Sequence, residues 1–488
     1  MHPVARLDHR HVWHPFTQMQ DWLKEEPCVL VAGRGAVLRD IHGREYLDAN
    51  ASIWTNLHGH GHPRINAAIR RQLAKVAHVS ALGFANEPAS HLAERLVRIA
   101  NPRLVSGPRL GKVFFSDDGS TALEVALKQA YEVSRRSRGP KHRPRFLSLK
   151  GAYHGDTIGA VSLGHVDLFH RAYSGLLFRS DAVMAPYCYR CPHNRAAPER
   201  ADARTTRRCQ WECVDAVARR LESARKRGTS YSAFVVEPGM QGAAGMIPQP
   251  PGWLRRVAGL VREHGALLIA DEVMTGLGRA CEVPASPDSA KAPLFASHQE
   301  GVQPDFLCIA KGLTGGYLPM AATLTTREVF DAFLGEYPEF KTFFHGHTFT
   351  ANPLGAAAAL ASLDLLESRP SLEARARLQS TLETELASLW SLPWVGDIRR
   401  NGSAVGVELV RDWTQRTPFD LREQAGIRVC RAMARRGVLT RPIGNVVVLM
   451  PPYCTTPRQV RVLVATLREA IAETFGPPSG RLLAAKRI

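Results

Sequence analysis

The chain has 488 residues, and 63 basic against 45 acidic side chains leave a formal charge of +18. With 45% hydrophobic and 22% charged residues it has the make-up of a globular protein, which excludes a disordered or fibrous chain. Its apolar runs fall short of the roughly 20 residues a membrane-spanning helix needs, and the opening MHPVARLDHRHVWHP lacks the apolar core of a secretory signal, so a cytoplasmic protein is expected.

In chain order, Lys112–Ser116 predicts a short buried strand, Asp117–Ser120 a turn and Thr121–Val133 a helix. The plan repeats: Arg145–Leu149, Ala233–Glu237, Ala266–Asp271 and Phe306–Ala310 are apolar runs that each end in a polar or glycine-rich segment. Strands alternating with helices predict an α/β fold on a parallel sheet, whose ligands sit beyond the carboxyl ends of the strands. Val283–Pro293 is proline-rich and predicts a surface loop. From about Asn352 onward the character changes to two alanine- and leucine-rich helices, a strand at Gly402–Leu409, a further helix and a strand at Val446–Met450, which predicts a smaller α+β domain.

Four of these strand ends carry candidate chemistry. Lys311 leaves a buried strand into Gly312–Gly316, the setting of a Schiff-base lysine, although a lysine capping a strand at the surface has the same local sequence. Asp271 ends its own strand, where a carboxylate can pair with a protonated pyridine nitrogen; such a pair shifts a pKa by about 1 to 3 units. Gly119 and Ser120 open a helix, where free N–H groups and the helix dipole accept a phosphate; Ser120 as a plain N-cap is the alternative. Tyr153 offers a face for stacking on a planar ring, or is a core tyrosine.

The ordered set Asp118–Glu124, Tyr153–Asp156, Glu237–Pro238, Asp271–Gly276, Lys311–Gly316 and His347–Thr348 resembles the class III aminotransferases, pyridoxal-phosphate enzymes of fold type I. The resemblance runs through nearly the whole chain. Trp13–Met19, Trp54–Gly59, Phe344–Phe349 and Thr440–Gly444 further resemble the branch acting in biotin biosynthesis, which aminates the ketone of 8-amino-7-oxononanoate to 7,8-diaminononanoate. The resemblance implies an N-terminal segment over residues 1–60, a large cofactor domain with a mostly parallel sheet over 61–350 and a small α+β domain over 351–488.

For the site, the resemblance implies pyridoxal 5'-phosphate held as a Schiff base on Lys311, which also acts as acid and base. Asp271 is then on the pyridine nitrogen, Tyr153 near ring and substrate, Gly119 and Ser120 on the phosphate, Gln241 near the phenolic oxygen, and His347 in the cofactor site. Thr348 reaches the phosphate held by the neighbouring subunit, which implies a homodimer with shared active sites. Trp54 and Arg441 line the substrate site, with Arg441 facing the substrate carboxylate, and Phe16, Ile53 and Gly346 complete the wall.

Members of the branch that use S-adenosylmethionine as amino donor commonly have Tyr at the position of Phe16 and two Trp at Ile53–Trp54; a related branch uses lysine and shares the Phe16–Met19 opening. S-adenosylmethionine is the expected donor, with lysine beside it, and another ω-aminotransferase acting on a diamine or ω-amino acid is the further alternative. After Gly278–Arg279 the class usually continues Thr-Gly-Lys, where this chain has Ala280-Cys281-Glu282. Cys188, Cys191, Cys209 and Cys213, with His193 nearby, have a spacing that suits zinc or belong to a loop of free thiols; no metal is part of the expected site. The basic residues come in short groups mixed with acids, such as Arg207–Arg208 and Arg435–Arg436, which speaks against the remote reading of a nucleic-acid-binding protein.

Overall fold

The computed structural model describes residues 1–476 apart from residues 104, 106, 140 and 285–291, so most of the Val283–Pro293 insert lies outside the described residues. The central sheet has seven strands: β1 (Leu110–Ser116), β2 (Phe146–Leu149), β3 (Asp181–Val183), β4 (Ala233–Val236), β5 (Leu267–Asp271), β6 (Phe306–Ile309) and β7 (Ala321–Thr326). Their order across the sheet is β1-β7-β6-β5-β4-β2-β3. All pairings are parallel except those of β7, which runs antiparallel to both β6 and β1.

Both faces of this sheet are buried, and the period of two along each strand divides its side chains between them. On one face Val235, Ile269 and Phe306 pack under α1 (Gly119–Arg138), whose Ala122, Leu123, Ala126 and Ala130 form a continuous apolar stripe. On the other, Phe234, Val236 and Leu268 meet α2 (Glu212–Lys226) and α3 (Trp253–Glu263) through Val217, Leu221, Trp253 and Val257.

The C-terminal part carries the helices α4 (Pro353–Leu366) and α5 (Arg369–Leu386) and an antiparallel sheet of Val395–Asn401, Ala404–Asp412, Val446–Leu449 and Pro442–Ile443. The strand expected at Gly402–Leu409 begins instead at Ala404. Gly402 has φ +59° and makes the hairpin turn, where a Cβ would lie 2.5 Å from the Arg279 carbonyl oxygen. Three N-terminal strands, Leu30–Arg34, Val37–Asp40 and Glu45–Asp48, form a separate sheet that Val438–Leu439 completes by pairing parallel to Glu45–Asp48. Among the described residues no helix is long and apolar enough to cross a membrane.

Candidate active site

The parallel strands β1, β2, β4, β5 and β6 all end on one side of the sheet, and the segments that follow them enclose a cavity of about 360 Å³. Lys311 enters it after β6, Asp271 at the end of β5, Glu237 after β4, Tyr153 and His154 after β2, and Asp117 to Ser120 between β1 and α1. Five of the residues expected from sequence, Lys311, Asp271, Tyr153, Gly119 and Ser120, therefore line one cavity, as the switch from strand to loop predicts.

Lys311 is half-buried in the cavity wall, and no ion pair to it is found among the described residues. Burial lowers its pKa below the ordinary lysine value, against the pull of Asp271 and Glu237 and, more weakly, Asp118 and Asp156. Each unit of lowering multiplies the neutral, nucleophilic fraction near neutral pH by about ten. Asp271 is held from behind: His154 Nδ1 lies 2.7 Å from its Oδ2, and the Val273 N–H donates to Oδ1 at 3.1 Å. Burial opposes charge on His154, but the bond to Asp271 and the charges of Asp271 and Glu237 outweigh it, so its pKa stands above the usual imidazole value. Burial pushes Glu237 up to about 7. This carboxyl also ties two loops together, accepting from the Gly242 N–H at 2.8 Å and the Tyr153 N–H at 3.5 Å.

The phosphate end is built by α1. Asp118, not Ser120, is the N-cap: its Oδ1 accepts from the Thr121 N–H at 2.9 Å, while Thr121 Oγ1 accepts from the Asp118 N–H at 3.0 Å. This places Gly119 and Ser120 in the first turn, where N–H groups have no partner within the helix, and frees the serine hydroxyl for another role. Ser120 Oγ accepts from the Asp156 N–H at 3.2 Å. Two glycines permit the close approach: a Cβ on Gly155, at φ +123°, would lie 2.1 Å from Ser120 Oγ, and one on Gly119 would lie 2.6 Å from Val273 Cγ1.

Trp54 lines the cavity with Lys311 Nζ over its ring, 5.3 Å from the centroid. It closes a run of four consecutive non-glycine residues with positive φ: Ala51 (45°), Ser52 (49°), Ile53 (61°) and Trp54 (71°). Left-handed backbone costs an L-residue about 1–2 kcal/mol, so this turn depends on its surroundings.

The other expected residues lie outside the cavity lining. Phe16 is exposed and edge-on to Tyr153, with ring centroids 6.5 Å apart. Ile53 is exposed beside Trp54, and Gly346 and Thr348 are exposed on a segment whose His347 Nδ1 stands 3.8 Å from Asp117 Oδ2. Arg441 is exposed next to the Pro442–Ile443 strand. Gln241 is buried; its amide donates to the Lys150 carbonyl at 3.3 Å and its Oε1 has no partner among the described residues. Sequence reasoning gave no role to His154 or Glu237, although both stand within motifs it singled out. Cys188 and Cys213 are buried, Cys191 and Cys209 half-buried, and among the described residues no three ligating side chains are arranged to hold a metal ion.

The family described as Aminotransferase class-III matches residues 19–471. The adenosylmethionine-8-amino-7-oxononanoate aminotransferase of Nitratidesulfovibrio vulgaris is 49% identical over 96% of this chain and 81% of its own length. That of Geobacter sulfurreducens is 46% identical over 96% of this chain and 97% of its own. The crystal structure of the enzyme of that name from Methanocaldococcus jannaschii superposes with a TM-score of 0.85 at 38% identity, covering 97% of this chain and 99% of that one. An amine transaminase from an uncultivated Pseudomonas species, in its PLP-bound form, superposes with a TM-score of 0.83 at 31% identity, covering 95% and 98%.

Proposed function

The chain belongs to the class-III aminotransferases, and from that membership we propose that it transfers an amino group from S-adenosylmethionine to 8-amino-7-oxononanoate, forming 7,8-diaminononanoate for biotin synthesis in the cytoplasm. The observation that carries this reading is the shared cavity of Lys311, Asp271 and the Gly119–Ser120 turn, in a chain 49% identical to a relative named for that reaction.

The donor set fits pyridoxal phosphate: unpartnered first-turn N–H groups and a hydroxyl for a phosphate, a buried carboxylate for a ring nitrogen, and a cavity-lining amine of lowered pKa for an aldehyde. When bound, the cofactor supplies an electron sink for the donor's α-carbon electrons. Lys311 Nζ would hold the cofactor through its aldehyde carbon and would serve as the base for the proton of the donor's α-carbon. Asp271 would hold the ring nitrogen protonated, and His154 holds Asp271 in line. Gly119 and Ser120 anchor the phosphate, Tyr153 and Trp54 flank the reacting end, and Arg441 takes the substrate carboxylate. Thr348, exposed in its own chain, belongs to the site of a second copy, so the active form is a homodimer.

Lysine as donor is the second reading, favoured by Phe16, which has no hydroxyl, and by Ile53, which has no flat face for an adenine. Mixing the cofactor-loaded enzyme separately with each amine decides it: the true donor bleaches the visible band of the lysine-bound cofactor. If neither acts while another diamine does, the biotin-pathway assignment falls. Lys311→Ala is expected to abolish that band, and a normal band in the variant refutes the role of Lys311.

A further inference from the structure

The strained run Ala51–Trp54 is caged by one buried carboxylate. Asp48, 3% exposed, accepts from the Asn50 N–H at 3.1 Å and from the Ser52 N–H at 3.0 Å, with the Ser52 hydroxyl at 3.3 Å. A second layer stands behind it. His60 Nε2 lies 2.9 Å from Asp48 Oδ2, and His60 Nδ1 lies 3.0 Å from Asn56 Nδ2. Asn56 Oδ1 already accepts from the Gly59 N–H at 2.8 Å, so Nδ2 is the donor, His60 Nδ1 the acceptor, and Nε2–H is what faces Asp48.

The far end of the turn is fixed from the lysine loop. Gly316, at φ +86°, comes so near that a Cβ there would lie 2.9 Å from the Asn56 N and from the Thr55 carbonyl carbon. The same backbone that carries Lys311 thus backs the turn that carries Trp54, and the Asp48 cage locks the other side. An unsupported non-glycine chain would leave the left-handed region, since nothing local favours it.

We propose that Asp48, seated by His60, is a positioning residue: it holds the left-handed turn that sets Trp54 over Lys311 and so fixes the wall against which the ketone substrate lies. This rests on the aminotransferase reading of the cavity, and its test has an arm that does not. Trp54 acts directly on the substrate; Asp48 acts through Trp54.

In the first arm, without cofactor or substrate, the emission of Trp54 is isolated by subtracting the spectrum of Trp54→Phe, in the parent and in Asp48→Ala. The Trp54 emission is expected to move to longer wavelength in the Asp48 variant as the ring leaves its seat. In the second arm, Asp48→Ala is expected to raise KM for the ketone about tenfold while kcat changes less, the pattern of lost substrate binding. Trp54→Ala is expected to do the same, and the double variant to be no worse than Trp54→Ala alone, because the two act through one side chain. Asp48→Asn, which keeps an oxygen for the backbone donors, and His60→Ala, which leaves the turn's own bonds intact, give smaller changes in the same direction and serve if Asp48→Ala does not fold. An unmoved Trp54 spectrum in a folded variant, or KM effects that multiply in the double variant, overturns the proposal. Failure of the parent to bind pyridoxal phosphate overturns the functional reading instead, and the emission arm still judges the cage.

Discussion

Replacing His154 with Phe tests whether the imidazole behind Asp271 is an electrostatic partner or packing alone. The imidazole is fully buried, so His154→Phe adds some overpacking, which does not vary with pH, and removes the 2.7 Å bond to Asp271 Oδ2, leaving the carboxylate with the Val273 N–H at 3.1 Å. Losing a hydrogen bond to a buried charge costs about 1.5–3 kcal/mol. In a chain of 488 residues that lowers the thermal midpoint of the cofactor-free protein by roughly 1.5–3 °C. The pH dependence is the sharper measure. The pKa of His154 is raised in the fold, because the bond and charge of Asp271 outweigh burial. Its contribution is therefore fully present below the unfolded value of about 6.5 and is lost as pH climbs through the folded value. Lys311 titrates in both chains, and its direct effect cancels in the difference. The gap between parent and variant midpoints, followed by calorimetry, is expected to be widest near pH 6, about the unfolded imidazole value, and to shrink in alkaline buffer to what a neutral donor supplies. A gap that stays constant or widens with pH refutes the pairing.

Gly155→Ala forces a Cβ to within 2.1 Å of Ser120 Oγ and 2.8 Å of its Cα. The φ of +123° adds strain of about 1–3 kcal/mol, and overpacking a similar amount, so the loop moves off the start of α1 and pyridoxal phosphate affinity falls about tenfold or more. Titration of the stripped enzyme by visible absorbance measures this; an affinity within about twofold of the parent refutes the cradle at Gly119–Ser120. For the four cysteines at 188 to 213, elemental analysis is expected to find zinc well below one equivalent, since among the described residues no three ligating side chains are arranged to hold a metal ion. A full equivalent in washed protein overturns that expectation.

Much of the fold was legible because both helical faces of the sheet are written into its strands: in β4 the apolar run Ala233–Val236 leaves no solvent side, which marks a strand covered on both faces. Strand direction has no such mark. In β7, Ala321–Thr326 is all small, apolar or hydroxyl side chains, and it runs against its neighbours because the loop from Lys311 returns at once to the sheet edge of β6 instead of crossing over through a helix. The strand expected from Gly402 starts instead at Ala404 for a related reason: the glycine reads as part of a strand until the Arg279 backbone is seen lying against it.

Within the site, what sequence revealed was what each strand end contributes alone. Lys311, Asp271, Tyr153 and the Gly119–Ser120 pair announce their chemistry by residue type and by position after an apolar run. His154 does not, because its partner Asp271 lies 117 residues away and only the neighbouring paths of β2, β4 and β5 bring them together. The turn at Ala51–Trp54 is the harder case. Its residues are not glycine, and Ala51 taken alone favours a right-handed helix. Local preference points one way and the structure goes the other, held there by Asp48 on one side and the Gly316 backbone on the other. Such a conflict persists only where the surroundings over-determine the backbone, and here those surroundings are the lysine loop and the substrate wall. The strain is thus best understood as part of how the chain aims Trp54 at Lys311, and relieving it should loosen the site before it loosens the fold.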